Sequence, residues 1–153
     1  MTYRKNQAYQ VEKTHEIPDD LVFPETKRIL LLEDDTELAA HLKELLESCH
    51  YLVTVVSNGA EGLQQLLAQD FDAIVCDMVM PNFPGDMFYM AVQRSRPHLC
   101  CRFVFTSGHR ADPKIDLFIR SVRGLVLWKP FQAHELLDAL QTVLHRASAP
   151  KAG

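Results

Sequence analysis

The sequence predicts a doubly wound α/β sandwich: a five-stranded parallel sheet with five helices shared between its two faces. Three observations predict it. Short β-type apolar runs alternate with stretches of helical periodicity through the central region. Those runs are apolar throughout rather than alternating with polar residues, as strands buried on both sides are. Parallel neighbours also need crossover connections, and their right-handed preference distributes the helices over both faces.

The elements follow in order. "RILLL" (28–32) is the first strand, and Leu38, Leu42, Leu45, Leu46 and Cys49 then recur at helical spacing. "YLVTVV" (51–56) is β-branched and strand-like, closed by the turn signal "SNG". Leu63, Leu66 and Leu67 make a helix face within 60–69, and "FDAIVC" (71–76) is the third strand. A loop with Pro81, Pro84 and Gly85 leads to a helix over 86–96, followed by "CRFVF" (101–105) as the fourth strand. Asp112-Pro113 reads as N-cap and first helical position, opening a helix through Ile115, Phe118 and Ile119. "LVLW" (125–128) is the fifth strand. After Pro130 a last helix carries Leu136, Leu137, Leu140, Val143 and Leu144.

Length and composition bound the function. The 153 residues fit one domain, and 47% apolar residues suffice for a real core. A net charge of -4 argues against a dedicated nucleic-acid binder. No apolar run is long enough to span a membrane. The first residues, "MTYRKNQAYQVEK", lack the apolar core of a secretory signal, so the expected location is the cytoplasm. Cys49, Cys76, Cys100 and Cys101 show no metal-ligand spacing and read as free thiols of a reducing compartment. The seven histidines are scattered and read as surface residues. Residues 1–27 are a polar N-terminal extension, 28–146 the domain, and 147–153 a flexible C-terminal tail.

The chemistry collects where the strands end. The first ends in Glu33, Asp34 and Asp35, the third in Asp77, the fourth in Thr106-Ser107 and the fifth in Lys129-Pro130. Doubly wound sheets bind ligands beyond these carboxyl ends. A lone carboxylate closing a buried strand costs several kcal/mol (about the desolvation of one charge) unless it is paired. If the first and third strands are neighbours, the company of Asp77 has the same sign. Two carboxylates about 4 Å apart repel by roughly 4 kcal/mol at an effective dielectric near 20. Either a carboxyl group holds its proton or a cation sits among them. A few hard oxygen ligands with room for water suit Mg2+, which commonly accompanies a phosphoryl group, and Lys129 with the Thr106 hydroxyl suits phosphoryl oxygens.

Four motifs in order, "ILLLEDD", "CDMVMP" followed by Gly85, "FTSG" and "KPF", make the region from Arg28 to Arg146 resemble the receiver domain of two-component response regulators. The resemblance implies a flavodoxin-like strand order, 2-1-3-4-5. It implies Asp77 as phosphoacceptor and also a Mg2+ ligand, Asp34 as a direct Mg2+ ligand, Glu33 as a ligand through water, and the Val79 carbonyl as a backbone ligand. It gives Thr106 and Lys129 to the phosphoryl oxygens, makes Pro81 and Gly85 shapers of the loop, and predicts a cis Lys129-Pro130 bond. The donor would be a phosphohistidine on a sensor histidine kinase or a histidine phosphotransfer protein; the output partner is left open, and no direct binding to nucleic acid or membrane is expected. Such a chain signals rather than turning over a substrate, catalysing only its own phosphorylation and dephosphorylation.

Two positions depart from the family pattern. Val126 stands where receivers often carry an aromatic residue three before the lysine, and Ser107 replaces a commoner Ala or Gly. An apolar residue at the first position is similar to the branch fused to sensor kinases. Strand alternation puts Trp128, the only tryptophan, on the face of Val126, toward the fourth helix. The expectation is a stand-alone receiver whose output is partner binding or onward relay. Two other functions compete: a receiver-like module that binds without phosphorylation, and a Mg-dependent aspartate phosphatase of the haloacid-dehalogenase type. The phosphatase needs a second aspartate two residues after the nucleophile, where this chain has Val79.

Overall fold

A computed structural model describes residues 25–148, so the N-terminal extension (save residues 25–27) and most of the C-terminal tail lie outside the described residues. Five strands, β1 (Arg28–Leu32), β2 (Leu52–Val56), β3 (Ala73–Asp77), β4 (Phe103–Ser107) and β5 (Leu125–Trp128), form one parallel sheet. Their order is β2-β1-β3-β4-β5, as the resemblance implies. Helices α1 (Thr36–Ser48), α2 (Gly59–Ala68), α3 (Gly85–Ser95), α4 (Pro113–Val122) and α5 (Ala133–Ser148) connect and follow the strands. A 3-10 helix, Pro97–Arg102, is the one helical element among the described residues that the sequence pattern did not announce.

Local chemistry starts the helices. The Asp35 carboxylate accepts from the backbone N–H of Glu37 and Leu38 at 3.1 Å each, capping α1. At α2 the Asn58 side chain accepts from Glu61 N–H, and the Glu61 carboxylate reaches back to Ser57 N–H at 3.1 Å. Asp112 caps α4 through Lys114 N–H, with Pro113 as its first residue, as the sequence predicts. Helix α3 has Pro84 at its N-cap position and no side-chain cap.

Side-chain alternation splits the interior into two layers. Leu30, Leu32, Ile74, Cys76, Phe103 and Phe105 pack with Phe88, Tyr89, Ile115 and Ile119, beneath α2, α3 and α4. Tyr89, Phe103, Phe105 and Phe118 form an aromatic group there, with ring centroids 5.0–5.8 Å apart. Ile29, Leu31, Ala73, Val75 and Val104 pack on the other face with Leu42, Leu46, Leu136, Leu140 and Val143, beneath α1 and α5.

Three strands and two helices shift from the sequence expectation, and β3 and β4 also run on to Asp77 and Ser107. β4 begins at Phe103 rather than Cys101, because Pro97 opens a 3-10 helix that takes up Cys100, Cys101 and Arg102. β3 begins at Ala73, because Asp72 turns its carboxylate to the Arg28 N–H and the Phe71 carbonyl accepts from Arg102. β2 starts one residue late, and α2 and α3 each start and end one residue early. Full burial on both faces holds for β3 and β4. β2 and β5 are the sheet edges and are partly exposed. Described histidines are all exposed, and the four cysteines are free thiols.

Candidate functional site

Strand alternation aims the site. Ile29 and Leu31, Ala73 and Val75, Val104, and Leu125 and Leu127 all point to the α1/α5 face. Two residues on, the same parity carries Glu33, Asp77, Thr106 and Lys129 to the carboxyl edge of that face. Asp77 and Thr106 are register partners on neighbouring strands. Glu33, Asp77 and Thr106 are buried, whereas Asp34 turns outward to solvent.

One lysine faces two acids. Lys129 donates from Nζ to Glu33 Oε2 at 2.9 Å and to Asp77 Oδ2 at 3.2 Å. Carboxylate oxygens of Glu33, Asp34 and Asp77 all lie within 4.8 Å of one another. Three acids and one ammonium leave two negative charges uncompensated when all are ionised. Burial raises the Glu33 carboxyl pKa, Asp77 adds to the rise, and the Lys129 hydrogen bond opposes it. Burial also disfavours the Lys129 ammonium, but Glu33 and Asp77 together more than offset it and hold its pKa above the ordinary lysine value. This is a cation-hungry cluster of hard oxygen donors, open on the Asp34 side.

The loop after β3 holds Asp77 from behind. Asp77 Oδ1 accepts the Val79 N–H at 3.2 Å, so the expected backbone ligand Val79 is tied to the carboxylate by its own amide. Met78 N–H donates to the Thr106 carbonyl at 2.9 Å, and Gly85 N–H closes the loop on the Met78 carbonyl at 3.1 Å. A Cβ at Gly85 would stand 2.5 Å from the Asp77 carbonyl oxygen, so only glycine lets α3 start this close. The Lys129-Pro130 bond is cis, as expected.

Ser107 has the opposite strand parity to Thr106, so it does not face the acids. Its hydroxyl is fully buried and accepts the His109 N–H at 3.0 Å, fixing the start of the loop before α4. Trp128, with Val126, packs on the α4 side as strand alternation predicts, and the Arg110 guanidinium lies 5.4 Å from its ring centre. Sequence reasoning missed a groove of about 580 Å3 beside Asp34, lined by Ser57, Asn58, Ala60, Pro81, Asn82 and Phe83. Two loops that are far apart in the chain create it, where Phe83 packs against Gly59. The only sequence signals were the Ser57-Asn58 and Asn82 turn residues.

Comparison with known proteins completes the picture. The family model described as response regulator receiver domain matches residues 29–141. The chain is 32% identical over 121 residues to the response regulator receiver protein CpdR of Brucella abortus (strain 2308), covering 77% of this chain and 97% of that protein. It is 27% identical over 120 residues to the sensor kinase CckA of the same organism, covering 77% of this chain but 12% of that protein. Among solved structures, the receiver domain protein from Methanospirillum hungatei JF-1 superposes with a TM-score of 0.73 at 23% identity, over 80% of this chain and 97% of that one. The signal receiver domain of a histidine kinase from Syntrophus aciditrophicus gives 0.73 at 23% identity, over 84% and 97%. The strand order, the acids and lysine gathered at one edge, and a family match across the whole sheet lead to one assignment: the chain belongs to the response regulator receiver domain family of two-component systems.

Proposed function

We propose that this chain accepts a phosphoryl group from phosphohistidine onto Asp77 and signals by altered partner binding. The observation that carries the reading is the buried Asp77 carboxylate, set at a strand end with Lys129 and two further acids around it. An Asp77 oxygen attacks phosphorus as the phosphorus–nitrogen bond breaks. The electron pair leaves with the imidazole, and a mixed anhydride forms. Lys129 and the Thr106 hydroxyl then pair with phosphoryl oxygens, and catalysis is positioning and charge neutralisation.

The donor set fits a divalent cation: hard carboxylate oxygens within 4.8 Å of one another, with a surplus of negative charge. Asp34 and Asp77 would hold Mg2+ directly, Glu33 through water, and the Val79 carbonyl from the backbone. The ion supplies charge neutralisation for the incoming phosphoryl group. The donor is a sensor histidine kinase or a histidine phosphotransfer protein in the cytoplasm. Regions similar to this chain within proteins named sensor kinases support that choice. The aspartate-phosphatase alternative loses ground at Val79, an apolar and exposed residue where that chemistry needs a carboxyl group.

The test is labelling by acetyl phosphate with Mg2+. The parent gains a hydroxylamine-labile phosphoryl group, and Asp77→Asn or removal of the metal abolishes it. Undiminished labelling of the Asn variant would sink the assignment and favour a receiver-like module that binds without phosphorylation at this site.

A further inference from the structure

Thr106 and Lys129, the side chains given to the phosphoryl oxygens, are joined through a residue that faces neither. Ser107 is fully buried, and its polar groups tie the end of β4 in two directions. Its carbonyl accepts the Lys129 N–H at 2.8 Å, and its hydroxyl accepts the His109 N–H at 3.0 Å. The His109 carbonyl in turn accepts the Asp112 N–H at 3.1 Å, so the same turn leads into the cap of α4. Across the sheet Ser107 is the register partner of Trp128, and parity puts both on one face. Arg110, the residue after His109, holds its guanidinium 5.4 Å from the centre of that ring. The parts form a closed circuit: Thr106, Ser107, the His109–Arg110 turn and Trp128. The Thr106 hydroxyl itself makes no hydrogen bond among the described residues.

We propose that Ser107 is a positioning residue that carries occupancy of the phosphoryl site to Arg110 and Trp128. The inference rests on the phosphoacceptor reading, because a phosphoryl group on Asp77 is what engages the Thr106 hydroxyl. The peptide between Thr106 and Ser107 is planar and stiff, so a shift of Thr106 toward Asp77 turns Ser107 with it. The loop then has two choices. Detaching from Ser107 leaves a buried hydroxyl without its partner, which is costly. Following it is cheap, because His109 and Arg110 are exposed and the space around Gly108 is open, with nothing within 4 Å of a Cβ built there. The turn follows, Arg110 moves over the indole, and Trp128 registers the event. An Ala or Gly at position 107 has no hydroxyl with which to do this.

The test uses the full chain, with beryllium fluoride and Mg2+ as the phosphoryl probe. Binding is read from the fluorine resonance of the bound probe, and transmission from Trp128 emission and the His109 amide resonance. In the parent, saturation with the probe moves all three. Ser107→Ala keeps the affinity within about threefold of the parent but loses about half or more of the emission change. A merely weakened fold would not separate binding from emission in this way. An emission change that survives in Ser107→Ala overturns the proposal, as does a His109 amide that stays still in a parent that binds the probe. A larger loss of affinity in Ser107→Ala also overturns it, since the hydroxyl then serves the site and not its transmission. A parent that binds no probe defeats the phosphoacceptor reading itself, and this inference with it.

Discussion

Among the described residues Lys129 is the single cation paired with Glu33 and Asp77, and its removal is the sharpest residue-level perturbation available. Lys129→Met keeps much of the aliphatic stem but leaves two buried carboxylates unneutralised. The expected loss at about pH 7 is about 1–3 kcal/mol. The sign of its pH dependence follows from Glu33, whose carboxyl is already raised by burial and rises further without the lysine. A raised acid favours the folded state below its unfolded pKa, and that benefit is lost as pH climbs through the folded value. The gap between variant and parent in urea unfolding therefore narrows at about pH 5 relative to about pH 7. An equal gap at both would show that the lysine does not neutralise these acids. Gly85→Ala tests a contact of another kind. Its Cβ meets the Asp77 carbonyl oxygen and Met78 Cα, both backbone atoms with no room to yield. We predict a loss of about 1–3 kcal/mol in denaturant titration together with slower Asp77 labelling. Parent-like stability and labelling would mean that the β3–α3 loop relaxes freely.

At the scale of elements, legibility followed the physics that makes each one. Strands β1 and β5 and the start of α4 were readable because an apolar run or an Asp-Pro cap declares them locally. The start of β4 was not. Cys101 and Arg102 look strand-like beside Phe103, and only the turn imposed from Pro97 draws them into a 3-10 helix. The acids, threonine and lysine of the site were legible because strand ends deliver them with fixed parity. The groove beside Asp34 was hidden because it arises from two loops meeting. Ser107 is an intermediate case: its identity stood out, but its parity turns it away from the acids to fix the α4 loop. That loop also carries Arg110, held over Trp128 in a contact of a type contributing about 0.5–1 kcal/mol at exposed sites. As the only tryptophan, Trp128 reports this element alone. We predict that Arg110→Ala alters the resting emission. Beryllium fluoride with Mg2+ should change the parent emission, and Thr106→Ala should remove that change. Emission indifferent to the mimic, with its binding shown independently, would leave Trp128 as packing only.

For the whole molecule, two apolar layers fix a sheet whose carboxyl edge carries more negative charge than its own lysine can balance. The strands hold the acids together because hydrophobic burial on both faces outweighs their mutual repulsion. At 4.8 Å and an effective dielectric near 20, that repulsion is about 3.5 kcal/mol per ionised pair. The proposed Mg2+ would relieve it, and a ligand that binds only the folded state stabilises that state by mass action. At free Mg2+ about ten times its dissociation constant the gain is about 1.4 kcal/mol, an increase in Tm of roughly 3–6 °C for a domain of this size. The controls locate the effect. Sodium chloride at matched ionic strength screens all surface charge equally and should not reproduce the shift. The double variant Asp34→Asn, Asp77→Asn removes two of the three acids, so it should melt higher than the parent without metal and respond little to Mg2+. A Mg2+ shift in the double variant as large as in the parent would place the stabilising ion elsewhere on the molecule. A double variant that melts lower than the parent would show that the acids are matched by neighbours in the folded chain, removing the electrostatic reason for a cation at this edge.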